Sequence, residues 1–250
     1  MIRFADRGET RADRRAFAKV RRTEIEYGRK LRQIATMIGN LINGFDLENP
    51  ASVNRITATL ERYAQTLKPW AESVATLMLE EATRRDDQAW AALSRGMARD
   101  LRAELRTAPI GGALRTLMGE QVDLITSLPL EAAERVHREA IEALSSGERP
   151  EQMAKRIAAT GEVTTSRANT IARTETGRAS STLTMIRAKA IDSPGYFWRT
   201  SKDANVRPSH RAMEGKFVAW DDPPTLDNMT GHAGALINCR CYSEVSVPDL

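Results

Sequence analysis

The sequence predicts an α+β protein. A mainly α-helical N-terminal region of antiparallel heptad-striped helices precedes a small α+β C-terminal domain with a short antiparallel sheet. Three observations predict it. Apolar residues recur at alternating spacings of three and four through the first part of the chain. Hydrophobic residues make up 41% of the 250 residues but aromatics only 5%, so the core is mostly Leu, Ile, Val, Met and Ala, which favours helices. At "DSPG" (192–195) the texture changes to aromatic and β-branched runs bounded by Asp, Gly and Pro.

The first stripe reads Phe17, Val20, Glu24, Tyr27, Leu31, Ile34, Ile38, Leu41 and Phe45, a heptad seam with one polar interruption at Glu24. Asn43-Gly44 supplies a helix stop and Asn49-Pro50 a turn. The second stripe reads Val53, Ile56, Leu60, Tyr63, Leu67, Trp70, Val74 and Leu77. Two such helices joined by a short turn are expected to pack antiparallel. Pro69 is expected to kink or break the second near residues 65–69. A further face carries Trp90, Leu93, Met97, Leu101 and Leu105. Pro109 and Gly111-Gly112 mark a break, with helical units expected at 112–126 and 129–145. "PEQMAKRIAAT" reads as a short helix ended by Gly161. A longer helix follows over 164–191, capped by Thr164 or Thr165, with Ala168, Ile171, Ala172, Glu175, Ala179, Leu183 and Ile186 on one face. "YFWRTS", "GKFVAW" and "CYSEVSV" are the expected strands. The resulting domains are 1–148, helical, and 149–250, α+β.

The composition, 28% charged with no apolar run near the roughly 18 residues of a membrane span, reads as soluble and globular. The opening "MIRFADRGETRADRR" has no apolar core, so no secretory signal is expected. Two cysteines argue against a disulfide-built secreted fold and favour a reducing cytoplasm. The net charge is +4, yet residues 1–35 hold eleven Arg or Lys against five acids, a local +6. That basic arm, with Arg11, Arg14, Arg15, Lys19, Arg21 and Arg22, reads as a non-specific duplex-DNA contact or as a solvated helix face. No interleaved aromatics offer stacking to single strands.

The polar specialists concentrate at the C-terminal end: Asp203, Arg207, His210, His232, Asn238, Cys239, Arg240 and Cys241. Cys-x-Cys on a strand would turn both sulfurs to one face, where they fill space as small buried hydrophobes. The same pair with His210 and His232 would make a Cys2His2 zinc module, although one residue between ligands is short for a knuckle. A Cys239–Cys241 disulfide would be strained. A reactive thiol has Arg240 nearby, expected on the opposite face. Asp203, His210, His232 and Asn238 supply the residue types of a metal-dependent nuclease or toxin-like enzyme, without its ligand spacing. Glu175, on an apolar helix face, needs a partner, for which Arg207 or Arg240 is expected; Arg173 and Arg178 lie on other faces. No catalytic residue or cofactor is assigned.

The ordered set of Ala172–Glu175 (Ala-Arg-Thr-Glu) on a helix, Trp198, then Asp203, Val206, Arg207, His210 and Gly215, then Asn238–Cys241 (Asn-Cys-Arg-Cys) resembles the phage Mu F-like minor head, or head morphogenesis, family of tailed bacteriophages. The resemblance covers about residues 150–245. One departure is the loop "GHAGALINCRC", where the family often has Pro. The resemblance implies a structural network of Arg173, Glu175, Trp198, Asp203, Arg207, His210, Gly215, Asn238, Cys239, Arg240 and Cys241. It implies a non-enzymatic minor capsid protein, in the host cytoplasm during assembly and then inside the phage head. The implied partners are the portal protein, major capsid or scaffold protein, and double-stranded DNA in packaging or ejection, with no membrane.

Overall fold

Residues 11–93 and 108–247 are described by a computed structural model, with side chains from Val20 onward in the first helix. The helices are α1 (Arg11–Asn43), α2 (Ser52–Leu93), α3 (Ile110–Ser145), α4 (Pro150–Ala158) and α5 (Thr160–Ala190). Strand β1 (Gly195–Arg199), the short helix α6 (Pro208–Arg211), β2 (Phe217–Ala219), β3 (Thr225–Leu226), β4 (Met229–Thr230) and β5 (Tyr242–Val245) complete the chain. The architecture is α+β, helix-rich first and sheet-bearing last, as the patterning predicts. No helix among the described residues is long and apolar enough to cross a membrane.

The chain divides into two compact units, each built from separate segments. The first holds residues 1–25, 77–117 and 173–250; the second holds 26–76 and 118–172. In the second unit the α1 stripe is buried at Tyr27, Leu31, Ile34 and Ile38, then shifts from Leu41 to Ile42. The α2 stripe uses Val53, Ile56, Leu60, Ala64, Leu67, Ala71 and Val74; Ala64 and Ala71 take the places expected of Tyr63 and Trp70. An alanine is favoured there because its small side chain lets the backbones come close. Gly161 and Gly39 do the same elsewhere in the unit: a Cβ on Gly161 would lie 3.4 Å from Gly39 Cα. Tyr27 Oη donates to Gln121 Oε1 at 2.8 Å inside this core, and Arg32 donates to Asn169 at 2.9 Å.

Two expected breaks are absent. α2 runs through Pro69, and α3 runs as one helix through Pro129 where units at 112–126 and 129–145 were expected. An internal proline costs a helix about 3 kcal/mol. Burial on both sides outweighs it: Leu67, Ala71 and Val74 flank the first, and Ile125, Leu128, Ala132, Ala133 and Val136 flank the second. The long helix also starts earlier than its expected threonine cap. α5 begins at Thr160, and the hydroxyls of Thr164 and Thr165 donate back to the carbonyls of Thr160 and Gly161 instead of capping. Trp90 is buried, Leu93 is exposed, and Met97, Leu101 and Leu105 lie outside the described residues.

In the first unit the sheet order is β2-β1-β5, antiparallel throughout. β1 is the centre strand and all five of its residues are buried, which explains its unbroken apolar run. Tyr196, Trp198, Val218, Trp220, Leu236, Cys239 and Cys241 form its core with Trp90, Ala188 and Ile191. The hairpin β3–β4 closes through Asp227-Asn228, both with positive φ (52° and 62°), the geometry of a two-residue hairpin turn.

Candidate functional site

The residues of the spaced motif come from α5, β1, α6 and the loop before β5, and the fold brings most of them together. Two charges on α5 and the terminal loop meet at one acid. Glu24 Oε1, the polar interruption of the first seam, sits 3.2 Å from Arg173 Nε and 3.3 Å from an Arg240 guanidinium nitrogen. Glu24 and Arg240 are largely shielded from water, while Arg173 is about one-third exposed (32%). Arg173 also donates to Asn238 Oδ1 at 3.3 Å, and the Asn238 N–H donates to Thr174 Oγ1 at 3.0 Å. Arg240 also reaches Asp203 at 3.7 Å, and not Glu175, for which it was an expected partner. Glu175 holds Arg178, one turn further along α5, at 2.8 Å; that arginine was expected on another face.

The Asn-Cys-Arg-Cys stretch is not the start of a strand. Asn238 has φ +57°, the Cys239 N–H donates to Leu236 O at 3.0 Å, and β5 begins only at Tyr242. The turn folds the two cysteines toward one another: the Cys241 N–H donates to Cys239 Sγ at 3.3 Å. Both thiols are free and buried.

His210 stands over them. It lies in α6, which starts with Pro208 at its first position. Its Nδ1 is 3.4 Å from Cys239 Sγ and 3.5 Å from Cys241 Sγ. Its ring packs edge-on against Trp198 with centroids 5.7 Å apart. Its Nε2 is buried without a hydrogen bond, and the nearest acid, Asp227 Oδ2, is 3.8 Å away. Asp227 is itself held by Ser209 Oγ at 2.8 Å and Arg207 Nε at 3.4 Å. Arg207 also donates to Ile237 O at 3.0 Å, tying α6 to the cysteine loop. Gly215, at φ +73°, turns the chain so that its N–H reaches Trp198 O at 2.9 Å. Hydrogen bonding from the Cys241 thiol holds the Cys239 thiol down to about 6, against burial and with help from the Cys241 and Gly234 amides. The same shared bond, with burial, pushes Cys241 up.

His210, Cys239 and Cys241 are the group among the described residues able to hold a metal ion. His232 is not part of it. His232 instead meets Tyr196 Oη at 3.3 Å and packs edge-on to Trp220, and burial pushes its pKa down. The nuclease set likewise does not gather: His210 faces sulfur, Asp203 faces Arg240, and His232 faces Tyr196. Of the basic arm, Arg21 and Arg22 are exposed on α1; the side chains of Arg11, Arg14, Arg15 and Lys19 lie outside the described residues.

Three residues central to this geometry were missed in the sequence: Asp227, Gly177 and Gly234. The Asp-Asn pair between apolar residues was a hairpin signal that would have placed Asp227 on a turn. Gly177 lies where a Cβ would come 2.6 Å from the Gly234 carbonyl oxygen, a closeness that no one-dimensional pattern reveals.

Residues 134–244 match the family described as Phage Mu protein F like protein. A curated protein of Haemophilus influenzae (strain ATCC 51907 / DSM 11121 / KW20 / Rd), described only as an uncharacterized protein, is 28% identical over 249 residues. That alignment covers 92% of this chain and 54% of the relative, so the chain spans about half the length of the curated relative it matches. No solved structure matches.

Proposed function

From the match of residues 134–244 to the family described as Phage Mu protein F like protein, we propose that the chain is a minor head protein of a tailed bacteriophage. It associates with the portal during procapsid assembly. The family match implies the head morphogenesis role; the portal, the shell or scaffold contacts and the DNA contact are this reading's own extensions. In it, residues 149–250, which hold most of the matched span, carry the head morphogenesis role, and residues 1–148 carry the helices that meet partners. Location in the virion follows from the same reading.

The observation that carries the proposal is that the matched span includes Arg173, Asp203, Arg207, Asn238 and Arg240, whose side chains tie α5, α6 and the terminal loop into one network. Such a network holds the matched elements together, which is what an assembly component needs from a domain without an assigned reaction. Co-expression with the portal protein encoded by the same phage, followed by size-exclusion chromatography, tests it. Co-elution is expected, and a phage lacking the gene should give fewer complete heads. Separate elution together with a normal head yield would overturn the proposal.

A further inference from the structure

We infer that His210, Cys239 and Cys241 bind a zinc ion, with Asp227 orienting the histidine from outside the ligand set. The inference stands independently of the assembly role.

The distances set the case. Zinc–sulfur bonds of about 2.3 Å and zinc–nitrogen bonds of about 2.0–2.1 Å, at tetrahedral angles, separate a sulfur from a nitrogen by about 3.6 Å. The two sulfurs lie 3.4 and 3.5 Å from His210 Nδ1. All three ligand atoms fall within 4.8 Å of one another. Two sulfurs converging on one ring nitrogen cannot both be satisfied by it: a neutral imidazole nitrogen has either one lone pair or one hydrogen. A cation at the centre satisfies both sulfurs and the nitrogen together.

The surroundings suit a metal thiolate. The Cys241 N–H donates to Cys239 Sγ. The indole N–H of Trp198, in the same core as both cysteines, is buried without a hydrogen-bond partner. With Nδ1 on the metal, the remaining ring hydrogen sits on Nε2. That is the buried atom otherwise without a partner, 3.8 Å from Asp227 Oδ2. Metal-bound histidines commonly give this hydrogen to a carboxylate. Two thiolates and one imidazole select a borderline-soft ion such as zinc over magnesium or calcium.

Among the described residues no fourth His, Cys, Asp or Glu joins the three. The fourth vertex is assigned to a water. Because the three ligands are buried, the ion's role is structural: it staples α6 to the Cys239–Cys241 turn beneath β1.

The test uses the full chain, expressed with zinc in the medium and purified under reducing conditions without chelator. Elemental analysis should give about one zinc per chain. Replacement by cobalt(II) should produce thiolate-to-cobalt charge-transfer absorption and the intense visible bands of a four-coordinate ion. Cys239→Ser, Cys241→Ser and His210→Ala should each lose the metal, whereas His232→Ala keeps it. Asp227→Asn should weaken zinc affinity about 10- to 100-fold. If the ligand variants do not fold, the wild-type zinc content and cobalt spectrum decide alone. A content well below one metal per chain, both as purified and after adding zinc or cobalt, overturns the inference. So does a Cys239–Cys241 disulfide in the native chain, or a Cys239→Ser variant that keeps its metal.

Discussion

Asp86 and Arg187 show how a buried ion pair can work against its own carboxylate. Their nearest atoms are 2.7 Å apart, yet neither makes a well-aimed hydrogen bond across the gap. Burial therefore dominates, and the carboxyl is pushed up to about 6, with Arg187 and Thr184 only partly opposing. The sign of the consequence is fixed. Between the unfolded value near 4 and the folded value near 6, the folded state binds the extra proton. Stability contributed by that proton is present at low pH and lost as pH rises through this window. Two units correspond to on the order of 2–3 kcal/mol. Asp86→Asn, which keeps an acceptor for the Thr184 hydroxyl, should flatten the change in urea-unfolding free energy between pH 4 and 7. Parallel pH profiles for the two proteins would refute this. Glu24 illustrates the opposite arrangement: it faces two arginines from distant parts of the chain, and its charge is compensated by both.

At the scale of elements, α5 and the loop before β5 are matched by two glycines. The Gly234 carbonyl rests on Gly177, and Gly234 itself has φ +86°. Alanine at position 177 would gain about 1 kcal/mol of helix propensity. It would also place a methyl 2.6 Å from a backbone oxygen that cannot swing away like a side chain. Overpacking of that kind costs about 1–3 kcal/mol and should win. Gly177→Ala is expected to lower the thermal midpoint, and a raised midpoint would show that the loop yields. The same elements show what a sequence can carry. The heptad seams, the buried β1 and the order of the motif residues are periodic or compositional, so they were readable. The prolines misled because helix breaking is local, whereas the burial that overrides it on both sides of Pro69 and Pro129 is not. The Cys-x-Cys pair misled for a related reason. Strand alternation puts Cys239 and Cys241 on one face, but a left-handed Asn238 bends the chain there into a turn. His210 was legible as a candidate ligand. His232, equal to it in sequence terms, was separated from it only by the fold, which carries His210 to the sulfurs on α6 and His232 to Tyr196.

For the whole molecule, the uneven charge is the property that bears on partners. The net charge is +4, while residues 1–35 alone carry +6. Removing that arm wholesale is a poor test of DNA binding, because Tyr27, Leu31, Ile34 and Ala35 are core residues of the second unit. Arg21 and Arg22 allow a cleaner one, since both are exposed on α1 and glutamine has nearly the same helix propensity as arginine. If the arm lies on duplex DNA, each phosphate contact contributes about 0.9 to the slope of log affinity against log salt. Arg21→Gln/Arg22→Gln should then weaken binding at low salt and reduce the slope by about 2, equally on unrelated sequences. The corresponding Lys pair, which keeps the charge, should restore it. Because counterion release is insensitive to side-chain shape, a Lys variant as weak as the Gln variant would point to something other than phosphate. A slope unchanged by the Gln pair would refute a DNA contact at these two residues.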